Sequence, residues 1–451
     1  MNQPNTNAKL YNMTLFGKGS QSIVFKVLIW FTLLNYALAC FMSFYKKAVY
    51  ADFLINYIWI LALAVMVICL CKGFYFQRKI YLICCIFVLW MIMTFFMKGN
   101  APLADPTNHT FLISRSTLCC IAFPFVYIMN DAQERKSLHT LLYIFVSVTA
   151  VLLWLSYIGI LRGDSICLFN GRFMFGATYT YTDRMMLQFF NLYYYKTGYL
   201  ALIGFFVTLY LAISHWTKHN CIYYVLLMVT FTIAIIITYS RTAVFTFVIG
   251  LLIALLIVLQ HLNIRTRTRR IIMTISSFSG IIIAAVGLNI TYKVFNSIRD
   301  IWYGIDTLSS RTDIWSSIID VTHDMPEILL HGLPIRESMT IMNSYIDLAD
   351  KVSNMHSGYL QTLVLVGIPG LIAIIAFCIY LLLAMKRIVF SSSNNSRETL
   401  SKKFMIIVPL CLLIMNLFES LIFFNPVQTD LFNFIFALFT GYIIEYAYHQ
   451  N

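Results

Sequence analysis

The feature that most constrains this chain is a recurrence of apolar runs about twenty residues long, the length a helix needs to cross a hydrocarbon core. They follow one another through most of its 451 residues, separated by short polar segments. Hydrophobic residues make up 60% of the sequence, and only 11% is charged. Soluble proteins carry about a quarter charged residues, so a water-facing surface cannot be assembled from what remains. The solvent for most of the chain is therefore lipid. There every backbone amide must be satisfied internally, so a span is either a helix or part of a closed barrel. Long runs without ten-residue alternation select helices.

Twelve spans are expected, near 22–44, 52–71, 80–97, 111–129, 138–160, 195–214, 221–239, 242–262, 271–291, 357–385, 404–424 and 430–448. The first runs apolar from Ile23 to Tyr45, too long and too late for the core of a signal peptide, and is expected to be permanent. The expected fold is thus an all-α polytopic membrane protein of about twelve transmembrane helices. Helices 1–9 occupy 1–291, with an aromatic external loop at 161–194. A large extracytoplasmic loop follows at 292–356, and helices 10–12 fill 357–451.

Charge sets the expected orientation. With both ends in the cytoplasm, the internal segments hold 18 of the 32 basic residues, including the RTRTRR turn at 265–270, as the positive-inside rule requires. The net charge of +13 is then a topological signal and calls for no nucleic-acid partner. The expected location is a bacterial cytoplasmic membrane. Ten of the 11 cysteines lie in apolar runs and only Cys167 in an external segment, so they read as small hydrophobes. No zinc-ligand spacing appears among them.

The remaining basic residues fall outside, where few are expected. The 292–356 loop carries nine acidic side chains against five basic ones, so it is no general anion attractor. Any anion site must be built from individually placed arginines. Arg241 sits between two apolar runs in Tyr239-Ser240-Arg241-Thr242. There it either snorkels to cap a helix hairpin or clamps an anion facing a cavity. Arg311 and Trp315 share a helix face at i, i+4, with Asp313 as an alternative surface partner for the arginine. His356 opens the longest apolar segment, as an interface histidine or as a general base kept neutral by nearby arginines. His323 and His331 are weaker candidates. Asp320, His323 and Asp324 have a spacing that could hold a metal, although a solvated helix face fits it better. Glu419 lies inside an apolar run, and pairing with Arg241 or another cavity arginine would account for it.

Taken in order, these segments resemble the O-antigen ligase and Wzy-type polymerase superfamily of lipid-linked glycan transferases. The resemblance rests on Ser240-Arg241-Thr242, on Arg311 with Trp315, and on Leu330-His331-Gly332 before Pro334. It continues through His356-Ser357-Gly358-Tyr359-Leu360-Gln361 to Val366-Gly367-Ile368-Pro369-Gly370, covering roughly 235–375. A weaker match is Gly171-Arg172-Phe173 with Gly176. Two positions depart from the family pattern. Ser357 stands where asparagine is frequent, and Tyr179-Thr180-Tyr181-Thr182-Asp183 replaces a proline-asparagine segment.

The resemblance implies a helical bundle of the GT-C kind and transfer of a glycan from undecaprenyl diphosphate to an acceptor hydroxyl, with inversion and without a metal or other cofactor. His356 would be the base. Arg241 and Arg311, with Arg172 and Arg336, would bind the diphosphate, supported by Glu419, Trp315 and Tyr359. Partners would be the lipid-linked oligosaccharide donor and acceptor, the bilayer, and a chain-length regulator and flippase. A polymerase of O-antigen, capsule or exopolysaccharide is favoured within the superfamily. A ligase acting on lipid A core or protein is the alternative. A twelve-span transporter or flippase is the alternative of another class, disfavoured because most non-terminal charges lie on one face.

Overall fold

A computed structural model of the chain describes residues 132–163, 165–168, 173–179, 185–188, 194–215, 217, 219–238, 240–261, 311–333, 335–346, 355–390, 397–422 and 430–449. The expected spans at 22–44, 52–71, 80–97, 111–129 and 271–291 lie outside these residues, as does Arg172.

The described elements are mostly helical. In chain order they begin with α1 (Ala132–Arg162), then strands β1 (Ser165–Leu168), β2 (Phe173–Tyr179) and β3 (Met185–Gln188). Next come α2 (Tyr194–His215), α3 (Cys221–Ile237) and α4 (Arg241–His261). After the undescribed stretch come α5 (Arg311–Asp324), α6 (Ile328–His331) and α7 (Ile335–Ser344). The chain closes with α8 (Gly358–Phe390), α9 (Arg397–Phe404), α10 (Ile407–Phe418) and α11 (Asp430–His449).

Among the described residues, five helical segments are long and apolar enough to cross a membrane: His139–Arg162, Tyr195–His215, Arg241–His261, Gly358–Phe390 and Arg397–Phe418. Two shorter apolar helices, Cys221–Ile237 and Leu431–Ile444, accompany them. Each falls on one of the expected spans. The chain is accordingly a helical membrane protein.

Burial differs sharply between these helices. In α2, Leu200, Ala201, Leu202, Ile203, Phe206 and Val207 are all nearly inaccessible, so this helix runs through the middle of the bundle. One side of α8, by contrast, exposes Ile372, Ile375, Ile379, Leu382 and Leu383. In lipid that exposure has no hydrophobic penalty, because acyl chains are as apolar as the side chains.

The aromatic segment expected as a loop at 161–194 contains a three-stranded antiparallel sheet in the order β1-β2-β3. Ser165 pairs with Gly176, and Gly176 pairs in turn with Gln188. Gly176 adopts φ 120°, a conformation open to glycine. Sheet pairing satisfies backbone groups that a bare loop would leave to solvent. Alternation in short strands broken by polar residues gives a weak sequence signal, which explains why the all-α expectation did not include them.

A second, smaller core sits at one end of the bundle. Ile314, Ile318 and Val321 of α5 meet Ile328, Leu333, Met342, Ile346 and Met355, and the cluster reaches Val364 of α8. The join depends on a break in α8, where Gly367 takes φ 78° and Pro369 follows. Next to the break, the Leu333 amide donates to the Val364 carbonyl at 2.6 Å. The contact is close enough to require two glycines. A Cβ on Gly332 would stand 2.4 Å from the Leu365 carbonyl carbon, and one on Gly367 would stand 2.7 Å from that of Leu330. The Leu330-His331-Gly332 and Val366-Gly367-Ile368-Pro369 motifs are thus two halves of one docking joint.

Candidate functional site

Charged side chains from separate parts of the chain meet at Glu419. It stands just after α10, where the backbone turns extended at φ −148° and ψ 144°. The turn is held by Asn416, whose Oδ1 accepts from the amides of Leu421 and Ile422 at 3.1 and 3.0 Å. A polar side chain inside an apolar helix thereby caps the chain as it leaves the helix. The Glu419 carboxylate is left at the end of the helix, 8% exposed.

One carboxylate oxygen accepts from Nη2 of Arg311, the first residue of α5. The other accepts from Nδ1 of His356 at 3.2 Å. The Arg311 side chain is 19% exposed and that of His356 29%. Nε of Arg311 is buried without a hydrogen-bond partner. A guanidinium has five N–H donors in a planar fork, so this group retains capacity for an oxyanion.

His356 is held from both sides. It has φ 48°, left-handed for a non-glycine residue, at a cost of about 1–3 kcal/mol. The preceding residue supplies the restraint. The Met355 amide donates to Oε1 of Gln361 at 2.9 Å, and the Met355 carbonyl accepts from Nε1 of Trp315 at 3.1 Å. Gln361 therefore reaches back over the first turn of α8, while Trp315 reaches across from α5. Trp315 and Arg311 lie one turn apart on α5, as the i, i+4 spacing predicts.

Beneath the histidine, α8 and α10 are in close contact. A Cβ on Gly358 would overlap the Asn416 side chain at 2.1 Å, so the residue that turns the chain at Glu419 also fixes how near α8 can come. The Tyr359 hydroxyl donates to the Leu413 carbonyl at 3.4 Å. Tyr359 thus straps α8 to α10.

Arg241 opens α4 with an exposed side chain. Its turn borders the cluster through Tyr199, a fully buried residue of α2. The Tyr199 side chain sits beside Ser240 and Thr242 and within the fields of Glu419 and Arg311. Ser240 caps α4, its hydroxyl accepting from the Ala243 amide at 3.3 Å. The carboxylate's arginine partner is Arg311, where the sequence alone left Arg241 and other arginines open. Arg336 falls in α7, and its side chain lies outside the described residues.

The remaining sequence candidates lie apart from this cluster. His331 donates from Nδ1 to the Gly332 carbonyl at 2.9 Å. His323 contacts Asp324 at 3.3 Å with both side chains largely exposed, and Asp324 also accepts from the Tyr345 hydroxyl at 3.1 Å. Among the described residues no group of three His, Cys, Asp or Glu side chains is placed to hold a metal ion.

Three residues near the site were given no role by the sequence. Gln361 and Asn416 do positional work that only the fold reveals, though a polar residue in an apolar run is a signal for it. Lys196, in the first turn of α2, is 4% exposed and feels the charge of Glu419.

Residues 223–375 match the family described as O-antigen ligase. The resemblance to the O-antigen ligase and Wzy-type superfamily read from the motifs holds over this segment. It contains Arg241, Arg311, Trp315, Arg336, His356 and Tyr359, whereas Lys196 and Glu419 flank it. No curated protein matches the chain.

Proposed function

We propose that the chain is a polymerase of a lipid-linked surface polysaccharide, transferring glycan from a polyprenyl diphosphate to an acceptor sugar hydroxyl with inversion, on the non-cytoplasmic face of the membrane. The observation that carries this reading is the Glu419 carboxylate joined to Arg311 on one side and to His356 on the other.

The imidazole donates from Nδ1 to Glu419, which leaves Nε2 as the basic nitrogen. In the proposed step Nε2 takes the proton of the acceptor hydroxyl as its oxygen attacks the anomeric carbon. The bond from that carbon to the diphosphate oxygen breaks, and the electron pair leaves with the diphosphate. Glu419 then stabilises the imidazolium, as a carboxylate behind a catalytic histidine does elsewhere. The leaving group is already charged and needs cations rather than an acid. Arg311 and Arg241, with Arg172 and Arg336, would supply them, and their attraction grows as charge builds on the leaving oxygen. In that role arginines provide what a divalent ion provides in other transferases.

The test is the polysaccharide made by cells whose sole copy carries His356→Ala. A polymerase predicts loss of long chains with single lipid-linked repeat units accumulating. If long chains persist on the lipid carrier and only their attachment to lipid A core or protein fails, the enzyme is a ligase. Unchanged chains with substrate movement retained would instead favour a transporter.

A further inference from the structure

The broken helix α8 cannot run straight through the bundle, and its neighbours show by how much it departs. Helices α4 and α10 lie antiparallel, with Phe245 against Phe418 and Gly250 close against Cys411, so Asn416 stands level with Thr246. Gly358, at the start of α8, touches Asn416, while the Val389 carbonyl near its end accepts from Nε2 of Gln260 at 2.9 Å. Along α4 those two levels are about 21 Å apart, whereas a straight α8 would hold its two contact points about 46 Å apart. The break at Gly367, with φ 78° and ψ −175°, resolves the difference. The first segment, 358–366, lies largely across the end of the bundle. The segment from Ile368 to Phe390 makes the crossing.

Exposure marks where lipid begins. The exposed large apolar side chains of α8 start at Ile368 and continue through Ile372, Ile375, Ile379 and Leu382, with Lys386 and Arg387 exposed beyond them. A helix from Ile368 to Lys386 rises about 27 Å, close to the thickness of a hydrocarbon core. The edge of that core at this end of the bundle therefore falls at the break. Helix α6 docks on the same point, with the Leu330 carbonyl against Gly367. Leu330 itself is 55% exposed, and Ile368, which follows Gly367, is 40% exposed. A lone leucine facing water means little, but this one extends the lipid face of α8 onto the α5–α7 subdomain.

We propose that the α5–α7 subdomain is seated on the membrane, with Leu330 inserted among the phospholipid acyl chains of the leaflet at this end of the bundle. Helix α6 and the first segment of α8 form the shelf, joined by the Leu333 amide and the two close-packed glycines. The small core on which α5 packs rests on that shelf through Val364. Asp313, Ser316 and Asp320 of α5 are exposed and keep a polar side for water. Interfacial insertion of this kind needs an apolar side chain at the boundary and no further span. The seating does not depend on the transferase reading.

The test uses the full chain in nanodiscs of phosphatidylcholine and phosphatidylglycerol, with p-benzoylphenylalanine placed in turn at positions 330, 372 and 320. Illumination should yield acyl-chain adducts at 330, as at the lipid-facing 372, and none at the exposed 320, read by mass spectrometry of the digested chain. If 330 gives no lipid adduct while 372 does, or cross-links to another part of the chain instead, the seating is wrong. The unmodified chain supplies a second measurement that no folding defect can confound. Hydroxyl radicals should oxidise His323, whose side chain is 87% exposed, and spare Leu330. Oxidation of Leu330 in proportion to its exposed surface would overturn the proposal.

Discussion

The carboxylate of Glu419 lies 3.2 Å from Nδ1 of His356, although 63 positions separate them in sequence. Its other oxygen holds Arg311. One acidic side chain thus holds an imidazole and a guanidinium that come from distant parts of the chain.

Glu419→Ala should therefore damage stability as well as activity. It leaves Arg311 largely buried without its counter-charge, which costs about 3 kcal/mol when one partner of a buried pair is removed. Glu419→Gln keeps the shape and should lose less stability but most of the transfer rate. Thermal unfolding in detergent alongside chain-length analysis separates the two effects. Equal stability for the alanine variant and the parent would mean that the ion pair does not bear on folding.

Arg311→Lys keeps a positive charge beside Glu419 but removes the planar fork. Stability is expected to stay within about 1 kcal/mol of the parent, as a shorter-range ion pair persists, while long-chain product is lost. Retention of full-length polymer would show that charge alone suffices at this position.

Trp315→Phe deletes the indole N–H that donates to the Met355 carbonyl and retains an aromatic ring. Gln361→Ala removes the acceptor for the Met355 amide. Each should cost about 1–2 kcal/mol for a lost hydrogen bond and an unsatisfied buried partner. Because these bonds restrain the left-handed His356, the transfer rate should fall further than donor affinity. Affinity measured with a prenyl diphosphate, against product formation, is the deciding comparison.

Gly367→Ala and Gly332→Ala each place a methyl group against backbone in the α6–α8 joint, and both positions have positive φ. Backbone cannot yield as a flexible side chain does, so destabilisation of more than about 2 kcal/mol is expected, with faster proteolysis of the α5–α7 segment. A parent-like digestion pattern would refute the joint.

At the far end of α2 from Lys196, Arg397 caps the helix, donating from Nε to the Ile213 carbonyl at 2.5 Å and from Nη2 to that of Ala212 at 3.3 Å. Arg397→Ala should lower thermal stability by about 1–2 kcal/mol and leave prenyl diphosphate affinity unchanged. A change in affinity would show that the two ends of α2 are coupled.

The sequence by itself determined that this chain dissolves in lipid as helices. Apolar length and the scarcity of charge are local properties, and the expected 195–214 and 242–262 spans recur as α2 (Tyr194–His215) and α4 (Arg241–His261). Local spacing also placed Arg311 and Trp315 on one face, and motif order singled out His356. Tertiary structure decided which carboxylate, guanidinium and imidazole meet. Glu419, Arg311 and His356 come from separate parts of the chain and are brought together by close helix contacts such as Gly358 on Asn416. Those contacts depend on where a missing side chain lets two helices approach, and hydropathy carries no record of that distance. Strand pairing through Gly176 escaped the sequence for the same reason, because a partner across a sheet is specified by register rather than by the composition of either strand.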